Sequence, residues 1–346
     1  MKPILILKFG TASITNANGD IQESVLKEIA RQVAQLQAQY RIVLVSSGAV
    51  GAGKKYILDF KGELSQRKAA AALGNPILMR LYGQHFEPYQ IPVAQSLCER
   101  SHFANRAQFL QLKQTYETLW DSGVIPIANE NDVVSDVELK FSDNDELATL
   151  LAAGLGAKIL MFCTSVGGLL NAQKEIIPTV LKIDSAILGL ADRSKSSLGL
   201  GGMVSKLNFA QRATQLGIQV IIFGIHQKDG ILNALKGEQG TTFNAQPVNR
   251  NSRQKWLSTG SLISGKVLVD EGAAKALSKR KSLLAVGVTK ITGDFEPGEV
   301  FEILNPNMEL IAIARSRISS KIVGAAQSIQ NLEIAHADDI VLIANP

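Results

Sequence analysis

The residues of this chain whose types could do chemistry fall in four loops, each placed where an apolar stretch gives way to small or polar residues. Lys8-Phe9-Gly10-Thr11 sets a cation beside a glycine turn, where backbone amides can approach a phosphate; a solvated strand end has the same composition. Val45-Ser46-Ser47-Gly48-Ala49-Val50-Gly51-Ala52-Gly53 joins three glycines to two hydroxyls ahead of a helix, the makings of an anion-binding nest or of a plain tight turn. It lacks both the Gly-Lys-Ser/Thr ending of a Walker A loop and the dinucleotide Gly-x-Gly-x-x-Gly spacing. Asn129-Glu130-Asn131-Asp132 and then Lys140-Phe141-Ser142-Asp143-Asn144-Asp145 gather amides, carboxylates and one lysine. Such groups can hold an amino acid's ammonium and carboxylate, or order a lysine and Mg2+ around a transferred phosphate; Asp143, Asn144 and Asp145 are also good helix N-caps. Leu198-Gly199-Leu200-Gly201-Gly202-Met203-Val204-Ser205-Lys206 opens a helix with free amides and a lysine one turn in, able to face a polyphosphate or to be a surface loop. The coincidence of all four argues for phosphate chemistry more strongly than any one of them.

The elements that must position these loops alternate short apolar runs with longer amphipathic segments, the pattern of a mostly parallel sheet with crossover helices. Ile4 to Phe9, Ile42 to Val45, Val124 to Ile127, Ile159 to Cys163 and Val220 to Phe223 are continuous apolar stretches, as strands buried on both faces require. The loops above then follow strand ends, where open α/β sheets bind their ligands. Val25, Ile29, Val33 and Leu36 recur at helical spacing, with Asp20 and Glu23 as a capping pair. Further helices are expected over Gln66 to Tyr82, Ala107 to Trp120, Asp145 to Gly154 and Gly202 to Leu216. The polar, proline-bearing stretch from Ala245 to Ser252 reads as a linker, giving a first domain over 1–245, a linker over 246–256 and a second domain over 257–346. Turn signals such as Thr292-Gly293-Asp294 and Glu296-Pro297-Gly298-Glu299 separate short apolar runs there, which predicts a small β-rich barrel with one helix near Glu271 to Ser278.

With 346 residues and 46% apolar content, the chain can build two cores. It has no apolar run long enough to cross a bilayer and no signal-peptide cleavage pattern, so a soluble cytoplasmic protein without membrane partners is expected. Cys98 and Cys163 stand in apolar surroundings and the four histidines are scattered, which indicates buried thiols and no metal held by protein side chains. The net charge of +5 is spread thinly, and residues 252–346 carry 11 basic against 10 acidic side chains. That balance argues against an RNA partner and suits anionic metabolites.

These segments in this order resemble the amino-acid kinase family: Lys8-Phe9-Gly10-Thr11, Ser46-Ser47-Gly48-Ala49, Ile127-Ala128-Asn129-Glu130-Asn131-Asp132, Asp143-Asn144-Asp145, and Gly201-Gly202-Met203 with Lys206. The tail resembles a PUA domain through Gly265-Lys266-Val267-Leu268-Val269-Asp270-Glu271-Gly272-Ala273 and Gly293-Asp294-Phe295-Glu296-Pro297-Gly298-Glu299-Val300. The resemblance implies a three-layer α/β sandwich around the sheet plus a PUA-like barrel. It also implies ATP-dependent phosphorylation of the γ-carboxylate of glutamate at the entry to proline synthesis, with Mg2+ bridging the ATP phosphates. By that likeness Lys8, Lys206 and Asp145 are catalytic, the lysines on the transferring phosphoryl oxygens and Asp145 orienting them. Ser47, Gly48, Asn129, Asp132, Asp143 and Asn144 would bind glutamate; Lys8, Gly10, Thr164, Ser165, Leu200, Gly201, Gly202, Met203, Val204, Ser205 and Lys206 would bind the nucleotide. Lys140 and Asp143 belong to the segment that in this family also senses proline as a feedback inhibitor, and the family suggests a homo-oligomer, dimer or tetramer. Three departures bear on these roles. Thr164-Ser165 stands where the family has Thr-Asp without the following Ala-Asp-Pro, Ser142 replaces a glycine and Leu200 a threonine, changes that would reshape nucleotide binding and loop mobility while sparing every proposed transition-state group. Other acceptors used in the family, or an RNA-binding protein with a decayed kinase site, are the alternatives.

Overall fold

The computed structural model describes residues 2–16, 18–99, 102–103, 106–134, 144–193, 202–247, 263–293, 295, 297–325 and 332–342. The chain divides into two compact units, Met1–Glu99 with Lys113–Val248 and Arg100–Leu112 with Asn249–Pro346.

The first unit is built on an eight-stranded sheet: β1 (Ile4–Phe9), β2 (Arg41–Ser46), β3 (Val93–Cys98), β4 (Ile125–Glu130), β5 (Ile159–Cys163), β6 (Thr179–Val180), β7 (Gln219–Phe223) and β8 (Thr241–Phe243). They lie in the order β3-β4-β2-β1-β5-β7-β8-β6. The first six run parallel, and the sheet reverses only where β7 meets β8. Its helices are α1 (Thr11–Ile14), α2 (Glu23–Leu36), α3 (Ala49–Gly53), α4 (Leu64–Phe86), the part from Lys113 onward of α5 (Arg106–Asp121), α6 (Asn144–Leu155), α7 (Ser185–Arg193), α8 (Gly202–Gln215) and α9 (Gly230–Lys236).

The five continuous apolar runs are the five strands predicted, because a strand covered on both sides has no polar face to show. Residues 5–9 of β1 and every residue of β5 are buried. Three strands escape the sequence reading: β3 mixes Gln95 and Ser96 with apolar residues, and β6 and β8 hold two and three residues. On one face Leu5, Leu7 and Phe9 pack with Ile42, Leu44, Ile125 and Ile127 against Leu26, Ile29 and Val33 of α2 and Leu78, Tyr82 and Phe86 of α4. Each such side chain is worth roughly 1.5–3 kcal/mol on burial. The helix from Val25 to Leu36 forms as its periodicity demands, but Asp20 does not cap it. The N-cap is Gln22, and the Asp20 N–H instead donates to Asn16 Oδ1 in the loop that precedes the helix. Gln32 of α2, fully buried, accepts from the backbone N–H groups of Ile231 and Leu232 and so satisfies the start of α9.

The sheet order places β1 at the switch point: the chain moves from β1 to β2 on one side and returns to β5 on the other. Crevices open at the carboxyl ends of strands at such a point, so the end of β1 is where this topology puts a ligand.

The second unit contains β9 (Ile263–Val269), β10 (Leu283–Leu284), β11 (Val288–Thr292), β12 (Val300–Leu304), β13 (Leu310–Arg315), β14 (Glu333–Ala335) and β15 (Ile340–Leu342), with helices α10 (Glu271–Ser278) and α11 (Ser320–Ala325). Five strands form one sheet in the order β11-β9-β12-β13-β15 and β10 pairs with β14. Its core includes Val267, Val269, Leu277, Ile303, Val323 and Ile334, and Phe295 stacks on Phe301 at 4.8 Å between ring centres. The predicted helix begins where Asp270 accepts from the Ala273 N–H at 2.7 Å, an N-cap that sequence alone suggests; α11 was not foreseen.

Candidate active site

Side chains alternate along a strand, so with Leu5, Leu7 and Phe9 committed to the α2–α4 face, Ile6 and Lys8 point to the other. Lys8 is 4% exposed, and its amine lies 2.5 Å from Asp145 Oδ1 at the start of α6. Lys206, from the second turn of α8, brings its amine to 2.9 Å from Asp145 Oδ2. Two cations therefore share one fully buried carboxylate, and the triad keeps a net positive charge. Burial pushes the Asp145 carboxyl upward, but the lysines outweigh it and hold it below the usual carboxylate range. Its place in the first turn of α6, where helix amides favour an anion, adds to that preference. Gly10 lies beside the Lys8 amine: a Cβ built there would make ordinary van der Waals contact with it at 3.5 Å.

One residue before Asp145, Asn144 begins a cluster of amides and hydroxyls. Its Nδ2 donates to Ser47 Oγ at 2.9 Å and to Asn129 Oδ1 at 3.0 Å. Asn129 Oδ1 also accepts from the Glu130 N–H, and Asn129 Nδ2 donates to Asn75 Oδ1 of α4 at 3.3 Å. Beside them Ser46 Oγ meets the Tyr82 hydroxyl at 2.9 Å, and burial pushes that phenol well above its ordinary range, keeping it neutral. Asn144 Oδ1 is buried without a hydrogen-bond partner, an acceptor waiting for a donor. Asn129 shares its face of β4 with Ile125 and Ile127, opposite the face that carries Lys8. The start of α6 thus joins both groups over the carboxyl edge of the sheet, Asn144 to the amides and Asp145 to the amines.

One of the sequence expectations needs correction. Asn129 and Glu130 do not follow a strand that stops at Ile127; β4 continues through both, paired with Leu97 and Cys98 of β3, because the ladder still has a partner there. The glycines of the second loop also divide by task. Gly48 takes φ 102°, a left-handed turn that an L side chain resists, and starts α3. Gly53 serves packing instead: a Cβ there would sit 1.9 Å from the Ala70 carbonyl, and one at Gly74 would sit 1.7 Å from that of Ala49, so α3 and α4 cross backbone against backbone.

Of the remaining predicted residues, Gly202, Met203, Val204 and Ser205 form the first turn of α8 below Lys206. Thr164 and Ser165 follow the end of β5; the Thr164 N–H donates to Phe223 O, and Ser165 is exposed. Asp132 lies in the turn just past β4. Asp143, Lys140, Ser142, Leu200 and Gly201 lie outside the described residues. Both cysteines are buried free thiols, each pushed up to about 11 by that burial. Among the described residues no helix is long and apolar enough to cross a membrane.

Sequence reasoning missed Asn75 and Tyr82. The signal was a polar residue between Gly74 and Pro76 in the run from Ala70 to Leu78, with Tyr82 two turns further along the same stripe.

Comparison with known proteins shows the family of the chain. Residues 3–224 match the amino acid kinase family and residues 265–336 the PUA domain. A protein of Moorella thermoacetica named glutamate 5-kinase is 35% identical over 362 residues, spanning 98% of this chain and 96% of its own length. One of the same name from Escherichia coli O1:K1 is 36% identical over 327 residues, 91% of this chain and 89% of its own. Among solved structures, carbamate kinase from Giardia lamblia bound to AMP-PNP superposes with a TM-score of 0.52 at 21% identity, covering 71% of this chain and 99% of that one. At that identity the likeness concerns the fold alone.

Proposed function

The chain belongs to the amino acid kinase family, and on that premise we propose that it transfers the γ-phosphoryl group of ATP to the γ-carboxylate of L-glutamate, forming L-glutamyl 5-phosphate for proline synthesis. The observation that carries the reading is the convergence of Lys8 and Lys206 on Asp145, one residue from the amide cluster around Asn144. A glutamate γ-carboxylate, with an ordinary pKa near 4.3, is already ionised at neutral pH and attacks phosphorus without a general base. The protein's task is alignment and charge neutralisation.

Lys8 and Lys206 stabilise the transferring oxygens, and Asp145 holds both amines at a set separation. Ser47, Gly48, Asn129, Asp132 and Asn144, with Asp143, bind glutamate. Gly10, Thr164, Ser165 and the segment from Leu200 to Ser205 receive the nucleotide, its phosphates facing the amides of the first turn of α8. The net positive triad suits a polyphosphate, and Mg2+ carried on the ATP phosphates would offset their remaining charge. We place the protein in the cytoplasm, as a homo-oligomer built through the kinase unit and subject to inhibition by proline.

Incubation with ATP, Mg2+ and glutamate, with hydroxylamine as the trap, should give γ-glutamyl hydroxamate. Lys8→Ala or Lys206→Ala should lower kcat by about a hundredfold or more, the scale of a lost electrostatic contact. No hydroxamate from folded protein rejects the activity, and near-normal turnover in both variants removes the lysines from the mechanism.

A further inference from the structure

We propose that Asn75 is a positioning residue: from α4, two hydrogen bonds away, it acts together with the Glu130 N–H to set which end of the Asn144 amide is left to meet the substrate. The inference rests on the amino-acid acceptor proposed above and adds a residue that the reading did not include.

An amide side chain has two nearly isosteric ends, and only its neighbours decide which way it faces. Asn75 Oδ1 accepts from Asn129 Nδ2 while the Glu130 N–H donates to Asn129 Oδ1, so the two together aim Asn129 Oδ1 at Asn144 Nδ2. Asn144 Nδ2 is then committed to Asn129 and Ser47, and its Oδ1 remains buried without a partner. A buried acceptor in that state favours a ligand bearing N–H donors, and the ammonium of an α-amino acid brings three. Were Asn129 to turn over, its NH2 would face both the Glu130 N–H and the Asn144 NH2, donors against donors. Asn144 would have to turn as well, presenting its NH2 to the ammonium.

Packing holds Asn75 in place opposite Asn129. It is 5% exposed, its neighbour Gly74 is pressed against the Ala49 carbonyl, and Leu78 and Tyr82 on the same stripe of α4 are buried against the sheet. The position is thus locked by packing while its side chain is polar, an arrangement a purely structural helix would fill with an apolar residue.

The test compares Asn75→Leu, which removes the acceptor with the same number of side-chain heavy atoms, with Asn75→Asp, which keeps the shape and can still accept. Asn75→Leu should raise the KM for glutamate about tenfold, with kcat and the KM for ATP within about twofold of the parent, whereas Asn75→Asp should restore the glutamate KM. Inhibition by glutarate, which lacks the ammonium, should be the same in all three proteins. If Asn75→Leu fails to fold, Asn75→Ala removes the same acceptor with less bulk. An unchanged glutamate KM without the acceptor, equal impairment in Asn75→Asp, or an equal loss of glutarate affinity each overturns the positioning role. A parent protein that does not bind glutamate overturns the acceptor assignment and this inference with it, an outcome visible before any variant is made.

Discussion

At the level of single residues, the most consequential group is Asp145, a carboxylate with no exposure that faces two amines. Taking one partner from a buried charge cluster costs about 3–5 kcal/mol, because the remaining charges stay desolvated. Asp145→Asn keeps the shape and leaves Lys8 and Lys206 opposed, so it should destabilise the protein by that order at neutral pH. The pH dependence follows from the direction of its shift. The folded carboxyl titrates below its unfolded value, so its contribution is present above about pH 4 and fades as the pH falls through the folded value. Urea unfolding should therefore show a wide gap between parent and Asp145→Asn at pH 7 that narrows in acid. A gap that stays constant down to pH 3 would mean that the carboxylate's charge is not what stabilises the fold. Both lysines and this aspartate could be singled out in the sequence, since each sits beside a turn or helix start whose amides suit phosphate. That two amines would meet on one carboxylate followed only from the family resemblance, because it is the order of strands that brings Lys8 and Lys206 to Asp145, and no local run displays that order.

Elements carry the next constraint, and α4 shows it best. Gly53 and Gly74 let α3 and α4 cross with backbone touching carbonyl, so a methyl at Gly74 would have to displace the helix that holds Asn75. Gly83, on the same helix, has nothing within 4 Å of a built Cβ. Gly74→Ala should then cost about 1–3 kcal/mol or more by overpacking, and Gly83→Ala should stabilise by about 0.5–1 kcal/mol through helix propensity. Denaturation midpoints of the pair decide it, and equal effects of the two would show that the crossing relaxes freely. The contrast explains what periodicity could reveal. Strands such as β1 and β5, apolar throughout, announce themselves; β3, with Gln95 and Ser96, does not, and neither do the two residues of β6. The extension of β4 through Asn129 and Glu130 was hidden for the same reason, since polar residues can occupy a buried ladder only where the fold supplies partners such as Asn75 and Asn144. The capping pair at Asp20 and Glu23 failed because Asn16 competed for the Asp20 N–H.

Across the whole molecule, every described residue of the candidate site lies between Lys8 and Lys206, within the span that matches the amino acid kinase family, and the PUA span contributes none of them. A PUA-like tail raises the question of RNA, and charge answers it in a measurable way. Residues 252–346 hold 11 basic and 10 acidic side chains, and the described cations include Lys266 at 3.0 Å from Glu302 and Arg317 at 2.9 Å from Glu333. Cations already facing carboxylates displace few counterions when a phosphate backbone approaches. For a single strand the slope of log K against log salt is about −0.7 per phosphate neutralised, so fewer than about three contacts give a slope shallower than about −2. The full chain titrated with a fluorescent oligouridylate between 50 and 200 mM salt, concentrations spanning roughly the range over which strong binders lose most of their affinity, should show weak binding with that shallow slope. A steep slope with tight binding would assign the tail to RNA and leave the charge balance unexplained, whatever the kinase unit does with glutamate.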